Sequence, residues 1–218
     1  MRLPSFEYLA PSSLAETLRL LAERAPAAAV LAGGTDLIPR LRYRLVKPDL
    51  VLSLSHVPEL KEIRLDGLTL KIGACAVLQE VMNHPEVKAQ APGLADALKS
   101  IGAPNIQHRI GTIGGNLLLN TRCLFYNQSE WWRSGRERCL KNGGQVCHSL
   151  PESKECSASC QSDGAAMLSA LSVQVVLKSA KGERMLPLAE LFSGKGEAPF
   201  TLTPEELLTQ VQIFLPPP

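Results

Sequence analysis

No stretch of this 218-residue chain approaches the roughly 20 consecutive apolar residues that span a bilayer. The opening run, Met1-Arg2-Leu3-Pro4-Ser5-Phe6-Glu7, has no apolar signal-peptide core. These absences predict no membrane partner and a cytoplasmic location. Charge of one sign is also missing: 23 basic against 21 acidic residues leave a net +2, without the excess that a nucleic-acid surface needs. Neither the G-x-G-x-x-G fingerprint nor the Walker P-loop occurs, and no two cysteines stand in a C-x-x-C pair. Internal repeats and low-complexity tracts are absent as well. What remains is a chain of ordinary globular composition, 45% hydrophobic and 20% charged, long enough for one large domain or two small lobes.

Ser13-Leu14-Ala15-Glu16 fits a capping box, and Leu14, Leu18 and Leu21 repeat at helical spacing, which predicts a helix to about Arg24. Apolar runs at Ala29–Leu31 and Leu50–Leu54 read as buried strands, giving a βαβ-like first lobe over 1–56. In the second lobe, 57–218, alternating segments around Asp66-Gly67 predict a hairpin. Helices are expected at Leu78–Asn83, Leu94–Ser100 and Met167–Leu171. Strands are expected at Val173–Leu177 and Leu207–Phe214, with a turn at Lys181-Gly182. From 121 to 160 cysteines, tryptophans and arginines replace the periodic pattern, as in an inserted loop held by something other than a core.

Two glycine-rich segments carry chemistry. Gly33-Gly34-Thr35-Asp36 follows a strand, where glycine lets backbone approach a phosphate and exposed amides donate hydrogen bonds to it. Thr112-Ile113-Gly114-Gly115-Asn116 offers similar equipment. Alone, each reads as an ordinary turn. Together, on separate strand ends, they suit the two phosphates of one diphosphate.

In wording and order, Leu31-Ala32-Gly33-Gly34-Thr35-Asp36-Leu37 and Gly111-Thr112-Ile113-Gly114-Gly115-Asn116 resemble the two pyrophosphate loops of the FAD-binding medium subunits of molybdenum hydroxylases. The resemblance covers essentially the whole chain. It implies an α+β, two-lobed FAD-binding domain of the type shared with vanillyl-alcohol oxidases. Asp163, after Ser162, would reach toward the flavin; as a bare residue it reads as a helix N-cap. The family carries a further domain after a proline-rich linker, so Leu215-Pro216-Pro217-Pro218 is expected to mark where that domain is missing.

Five of the six cysteines, Cys123, Cys139, Cys147, Cys156 and Cys160, lie in the 121–160 segment. In a reducing compartment they point to metal or redox chemistry before disulfides. Spacing alone leaves an iron–sulfur cluster, a zinc site and unligated thiols open. The run Asn120–Cys123, Tyr126–Arg133, Cys139–Lys141 and Cys147-His148 resembles the insert that distinguishes the 4-hydroxybenzoyl-CoA reductase branch of the family. That resemblance implies a [4Fe–4S] cluster on Cys123, Cys139, Cys147 and Cys156, with Cys160 as the alternative to Cys156. His148 reads as a surface or supporting residue, Trp131 and Trp132 as packing that shields the cluster, and Cys75 as a small core residue.

The implied protein is an electron-transfer subunit with no catalytic side chain of its own. It would work beside a large molybdenum-cofactor subunit and a small [2Fe–2S] subunit, in a heterotrimer able to dimerise, with a ferredoxin-like donor. The implied net reaction is reductive dehydroxylation of 4-hydroxybenzoyl-CoA. A hydroxylase acting oxidatively on another substrate, or a flavin-free zinc-binding assembly module, are the alternatives.

Overall fold

Ser13 accepts a hydrogen bond from the Glu16 amide at 3.3 Å and starts helix α1, Leu14–Arg24, where the spacing of its leucines placed it. Glu16 reaches back to the Ser12 amide rather than to that of Ser13, so the reciprocal half of the box is shifted by one residue. The computed structural model describes residues 2–217. Strands β1 (Glu7–Leu9), β2 (Ala28–Leu31) and β3 (Leu50–Ser53) form a parallel sheet in the order β1-β3-β2. Central β3 is buried along its whole length, which is why it reads as a continuous apolar run. Edge strand β1 has two exposed residues of three and no alternation to announce it. Helix α2, Leu37–Arg42, follows the first glycine loop.

The second sheet is antiparallel, in the order β4-β5-β8-β6-β7: β4 (Ile63–Asp66), β5 (Thr69–Gly73), β6 (Val173–Ser179), β7 (Gly182–Pro187) and β8 (Leu207–Phe214). Gly67, with φ at +58°, makes the β4–β5 turn that the Asp-Gly pair predicts. Five short helices follow β5: α3 (Leu78–Asn83), α4 (Pro85–Gln90), α5 (Pro92–Lys99), α6 (Gln107–Ile110) and α7 (Ile113–Leu117). Leu94, Leu98, Ile113 and Leu117 from these helices meet Ile72, Val175 and Val211 of the sheet in one fully buried core. The result is a mixed α/β domain.

Two local expectations shift. The helix read at Met167–Leu171 is α9, Asp163–Leu168, because Ser162 caps it by accepting from the Ala165 amide at 3.0 Å. Ser162, rather than Asp163, is therefore the N-cap. The second glycine segment does not leave a strand; it runs from α6 into α7, with Thr112 bridged to Val77.

Residues 121–160 form an excursion whose neck is closed by two hydrogen bonds, Arg122 N–H to Ser159 O at 2.8 Å and the reverse at 3.0 Å. Within it only Thr121 and Cys147 are buried; its regular structure is a turn of helix, α8 (Glu130–Ser134), and a 3-10 turn. Polar clamps fix it in place of a core. The Arg133 guanidinium donates to the carbonyls of Tyr43 (3.2 Å) and Arg44 (3.0 Å), and Lys47 pairs with Glu130 at 2.5 Å. Trp131 is 84% exposed and shields nothing, while Trp132 lies under the Arg136 guanidinium at 3.9 Å. Short turns and polar clamps leave this segment too little depth to bury two indoles.

Candidate functional site

Leu31 ends β2, and the chain enters the first glycine loop against the backbone of the second. A Cβ built on Gly33 would stand 1.8 Å from the Ile110 carbonyl oxygen and 2.9 Å from the Gly111 Cα. The two segments are thus in direct main-chain contact, which only glycine permits at position 33. Gly34 has φ at +76°. The amides of Gly33, Gly34, Thr35 and Asp36 donate to no acceptor among the described residues. Ala32 through Leu37 line a cleft of about 390 Å³ together with Gly111, Thr112, Gly114, Gly115, Asn116 and Asp163. That volume lies in the range of small-molecule and cofactor pockets. Leu31 and Ile113 do not line it; Ile113 is fully buried in the core behind.

The second loop differs from the first in its hydrogen bonding. Ile113 N–H donates to Ala76 O (3.0 Å), Gly114 N–H to Ala74 O (2.8 Å) and Asn116 N–H to Thr112 O (2.9 Å). Gly115 N–H donates to Thr112 Oγ1 at 3.1 Å. The expected equivalence of the two loops fails here, because these amides hold the loop to the segment just after β5 and to itself. Its contribution is shape. Buried Asn116 extends the effect: its Oδ1 accepts from Ser162 Oγ–H (2.8 Å) and from the Gly164 amide (3.2 Å), tying the loop to the start of α9. Asn116→Ala is expected to strand both donors at a cost of about 1–3 kcal/mol. Thermal unfolding should show that loss.

Sequence reasoning named Asp36 and Asp163 but missed Arg40, Arg122 and Glu206 of the cleft. Asp36 pairs with Arg40 at 3.6 Å and, more closely, with Arg122 at the neck of the excursion. The Asp36–Arg40 pair is visible in the sequence as i,i+4 spacing; Arg122 comes from 86 residues away and leaves no local signal. The two cations and the free amides suit an anionic diphosphate. Glu206, on the cleft wall, is gripped by Arg184 at 2.5 and 3.0 Å and by the Thr203 amide at 2.8 Å. The Arg184 hydrogen bonds, foremost, hold its carboxyl down from 4.5 to about 2. A lowered folded-state value stabilises above pH 4.5 and is lost as pH falls toward 2. Glu206→Gln should therefore cost on the order of 1–2 kcal/mol at pH 7 and much less near pH 3, read by denaturant melts at both.

Cys123, Cys139, Cys147 and Cys156 line one small pocket beside the cleft, together with Phe125, Tyr126, Lys141 and His148. Cys160 is exposed and outside it. Local hydrogen bonds place the sulfurs. The Cys123 amide donates to Asn127 Oδ1 at 2.8 Å, and Cys139 O accepts from the Gly144 amide at 2.9 Å in a turn where Gly143 has φ at +76°. The Ser157 hydroxyl meets the Cys147 sulfur at 3.3 Å, and this bond, aided by nearby amides, holds the Cys147 thiol down to about 7. Burial pushes the Cys156 thiol up. Lys141 donates to the Gly196 carbonyl at 2.5 Å and to Thr121 Oγ1; burial lowers its pKa, and the neighbouring Cys156 opposes that shift. His148 bonds to the Glu137 carbonyl at 2.8 Å. Cys75 is buried among Leu52, Leu54 and Leu60, and its thiol is pushed up to about 11 by desolvation.

Among the described residues, no three His, Cys, Asp or Glu side chains are grouped to hold a metal ion. Four thiolates on one zinc ion, at about 2.3 Å each, would stand only about 3.8 Å apart. A cube gives each thiolate its own iron and needs them spread around a larger body. Four thiols lining one pocket are a donor set that an iron–sulfur cube or a zinc ion can each take.

The family described as "FAD binding domain in molybdopterin dehydrogenase" matches residues 4–217. The chain is 30% identical over 213 residues to the nicotinate dehydrogenase FAD-subunit of Eubacterium barkeri, covering 97% of this chain and 59% of the relative. It is 31% identical over 217 residues to caffeine dehydrogenase subunit beta of Pseudomonas sp. (strain CBB1), covering 99% and 60%. Among solved structures, carbon monoxide dehydrogenase from Hydrogenophaga pseudoflava superimposes with a TM-score of 0.76 at 28% identity, over 100% of this chain and 61% of that one. The chain thus spans about 60% of the length of these relatives.

Proposed function

Because the chain belongs to the family of FAD-binding domains of molybdopterin dehydrogenases, we propose that it relays electrons within a molybdenum hydroxylase-type complex, holding FAD in the glycine-loop cleft and a [4Fe–4S] cluster on Cys123, Cys139, Cys147 and Cys156. The observation that carries this reading is the adjacency of the two sites: Arg122 lines the cleft and the next residue, Cys123, lines the thiol pocket. FAD exchanges one or two electrons and an iron–sulfur cluster one, so the pair interconverts the two kinds of traffic.

The chain's own residues supply position and charge. The Gly33–Asp36 amides cradle the diphosphate, Arg40 and Arg122 balance it, and the Asn116–Ser162 link holds Asp163 at the cleft wall. In the thiol pocket Lys141 sets a cation beside what would be an anionic cluster. We assign residues 1–56 to one FAD-binding lobe and 57–218 to the other. The partners in this reading are a molybdenum-cofactor large subunit and a [2Fe–2S] small subunit, in a heterotrimer that dimerises, fed by a ferredoxin-type donor in the cytoplasm.

The insert's resemblance supports reductive dehydroxylation of 4-hydroxybenzoyl-CoA on the partner subunit. A second reading, an oxidative hydroxylase, is favoured by relatives named as dehydrogenases of nicotinate and caffeine. Co-expression with molybdenum and [2Fe–2S] subunits from the same source separates the two. Turnover of 4-hydroxybenzoyl-CoA to benzoyl-CoA with a low-potential donor is the expected result. Oxidation of an N-heterocycle with no thioester turnover would overturn the substrate assignment.

A further inference from the structure

Arg122 stands at a junction that neither cofactor site explains alone. Its backbone closes the neck of the excursion through the paired hydrogen bonds to Ser159. Its guanidinium pairs with Asp36, whose amide belongs to the phosphate-binding loop and whose carboxylate is 17% exposed. The following residue carries a thiol of the pocket. A second clamp acts on the same lever. Arg133, from α8 of the excursion, holds the carbonyls of Tyr43 and Arg44 just past the end of α2. The excursion thus grips the short helix α2 at both ends, and that helix begins where the first glycine loop stops.

Resting on the functional reading above, we propose that Arg122 is a positioning residue that couples the two cofactor sites: filling the FAD cleft fastens the thiol pocket, and filling the thiol pocket fastens the FAD cleft. An anionic diphosphate on the Gly33–Asp36 loop adds a second anion beside Arg122 and fixes the loop that the guanidinium holds. Fixing Arg122 fixes the neck, and with it the place of Cys123 beside the returning segment that leads from Cys156 to the Ser159 bridge. A cluster across those thiols immobilises the same neck from its other side. Such coupling is reciprocal: each cofactor changes the other's affinity by the same factor. Arg40 pairs with the same carboxylate but, among the described residues, makes no hydrogen bond or ion pair to the excursion, so it contributes charge without clamping the neck.

The experiment measures iron release from anaerobically reconstituted protein to an iron chelator, with and without saturating FAD. It also measures FAD affinity by flavin fluorescence, with the cluster present and after its removal. In the wild type we expect FAD to slow iron release at least fivefold and the cluster to tighten FAD binding by a similar factor. In Arg122→Gln both effects should fall to within twofold of unity while about four irons and one FAD still load at saturation. Arg40→Gln should weaken FAD binding and keep the coupling. Arg122→Lys should restore part of it. Iron release indifferent to FAD in the wild type, or full coupling retained in Arg122→Gln, overturns the proposal. Should Arg122→Gln fail to fold, Asp36→Asn breaks the same ion pair from its other side and should also bring both effects near unity; full coupling retained there overturns the proposal. Protein that loads neither FAD nor iron would instead sink the functional reading on which the proposal rests.

Discussion

Gly33→Ala is expected to yield protein that retains no flavin through purification and binds added FAD at least a hundredfold more weakly than the wild type. The cause is steric. The new methyl would lie 1.8 Å from the Ile110 carbonyl oxygen, a main-chain atom that no rotamer change can move aside. The two loops must part, and the free amides of Gly33–Asp36 then lose their place opposite the second loop. Separating packed backbone by that much costs about 1–3 kcal/mol of stability as well. Gly67 supplies the control. Unlike Gly33 it has positive φ, +58°, but a Cβ there meets nothing within 4 Å. Gly67→Ala should cost about 1 kcal/mol and leave flavin content unchanged. Flavin released by heating, counted per chain, reads the outcome; full flavin in Gly33→Ala would remove the loop contact from the account.

Cys139→Ser is expected to strip the cluster altogether. Iron and acid-labile sulfide should fall to less than a tenth of wild-type content. A serine hydroxyl is a poor replacement for a thiolate, and Cys139 sits on a turn fixed by the Gly143–Gly144 pair with no spare sulfur beside it. A Cβ on Gly144 would come within 1.6 Å of the Arg138 carbonyl oxygen, so only glycine fits this turn. Cys160→Ser and Cys75→Ser should keep their iron, the first because Cys160 is exposed outside the pocket, the second because Cys75 lies among leucines on the wall of the glycine-loop cleft, away from the thiol pocket. Full iron and sulfide in Cys139→Ser would show that the ligand set is wrong.

The parts of the fold legible in the sequence are those set by neighbours. Ser13, the leucines of α1, Asp66-Gly67 and the apolar run of β8 each act within a few residues, and each element forms where its local chemistry points. Helix α4 and strand β1 were not legible. The first is six residues with one buried side chain, the second three residues at a sheet edge, and both owe their existence to tertiary contact.

The same division runs through the site. The glycine segments and the four pocket cysteines stand out as residue types. Which amides remain free does not, because that depends on Ala74 and Ala76, brought to the second loop by the end of β5. The Asn116–Ser162 and Arg122–Asp36 links span 46 and 86 residues and carry no periodicity. Trp131 misled for a related reason. Aromatic residues imply burial only where a core exists to receive them, and the excursion is held by polar clamps.

Anaerobic preparation with FAD, iron, acid-labile sulfide and zinc measured on one sample tests the central claim most directly. The account predicts about one FAD, four irons and four sulfides per chain, without stoichiometric zinc. Colourless protein that takes up neither flavin nor sulfide after reconstitution would contradict it.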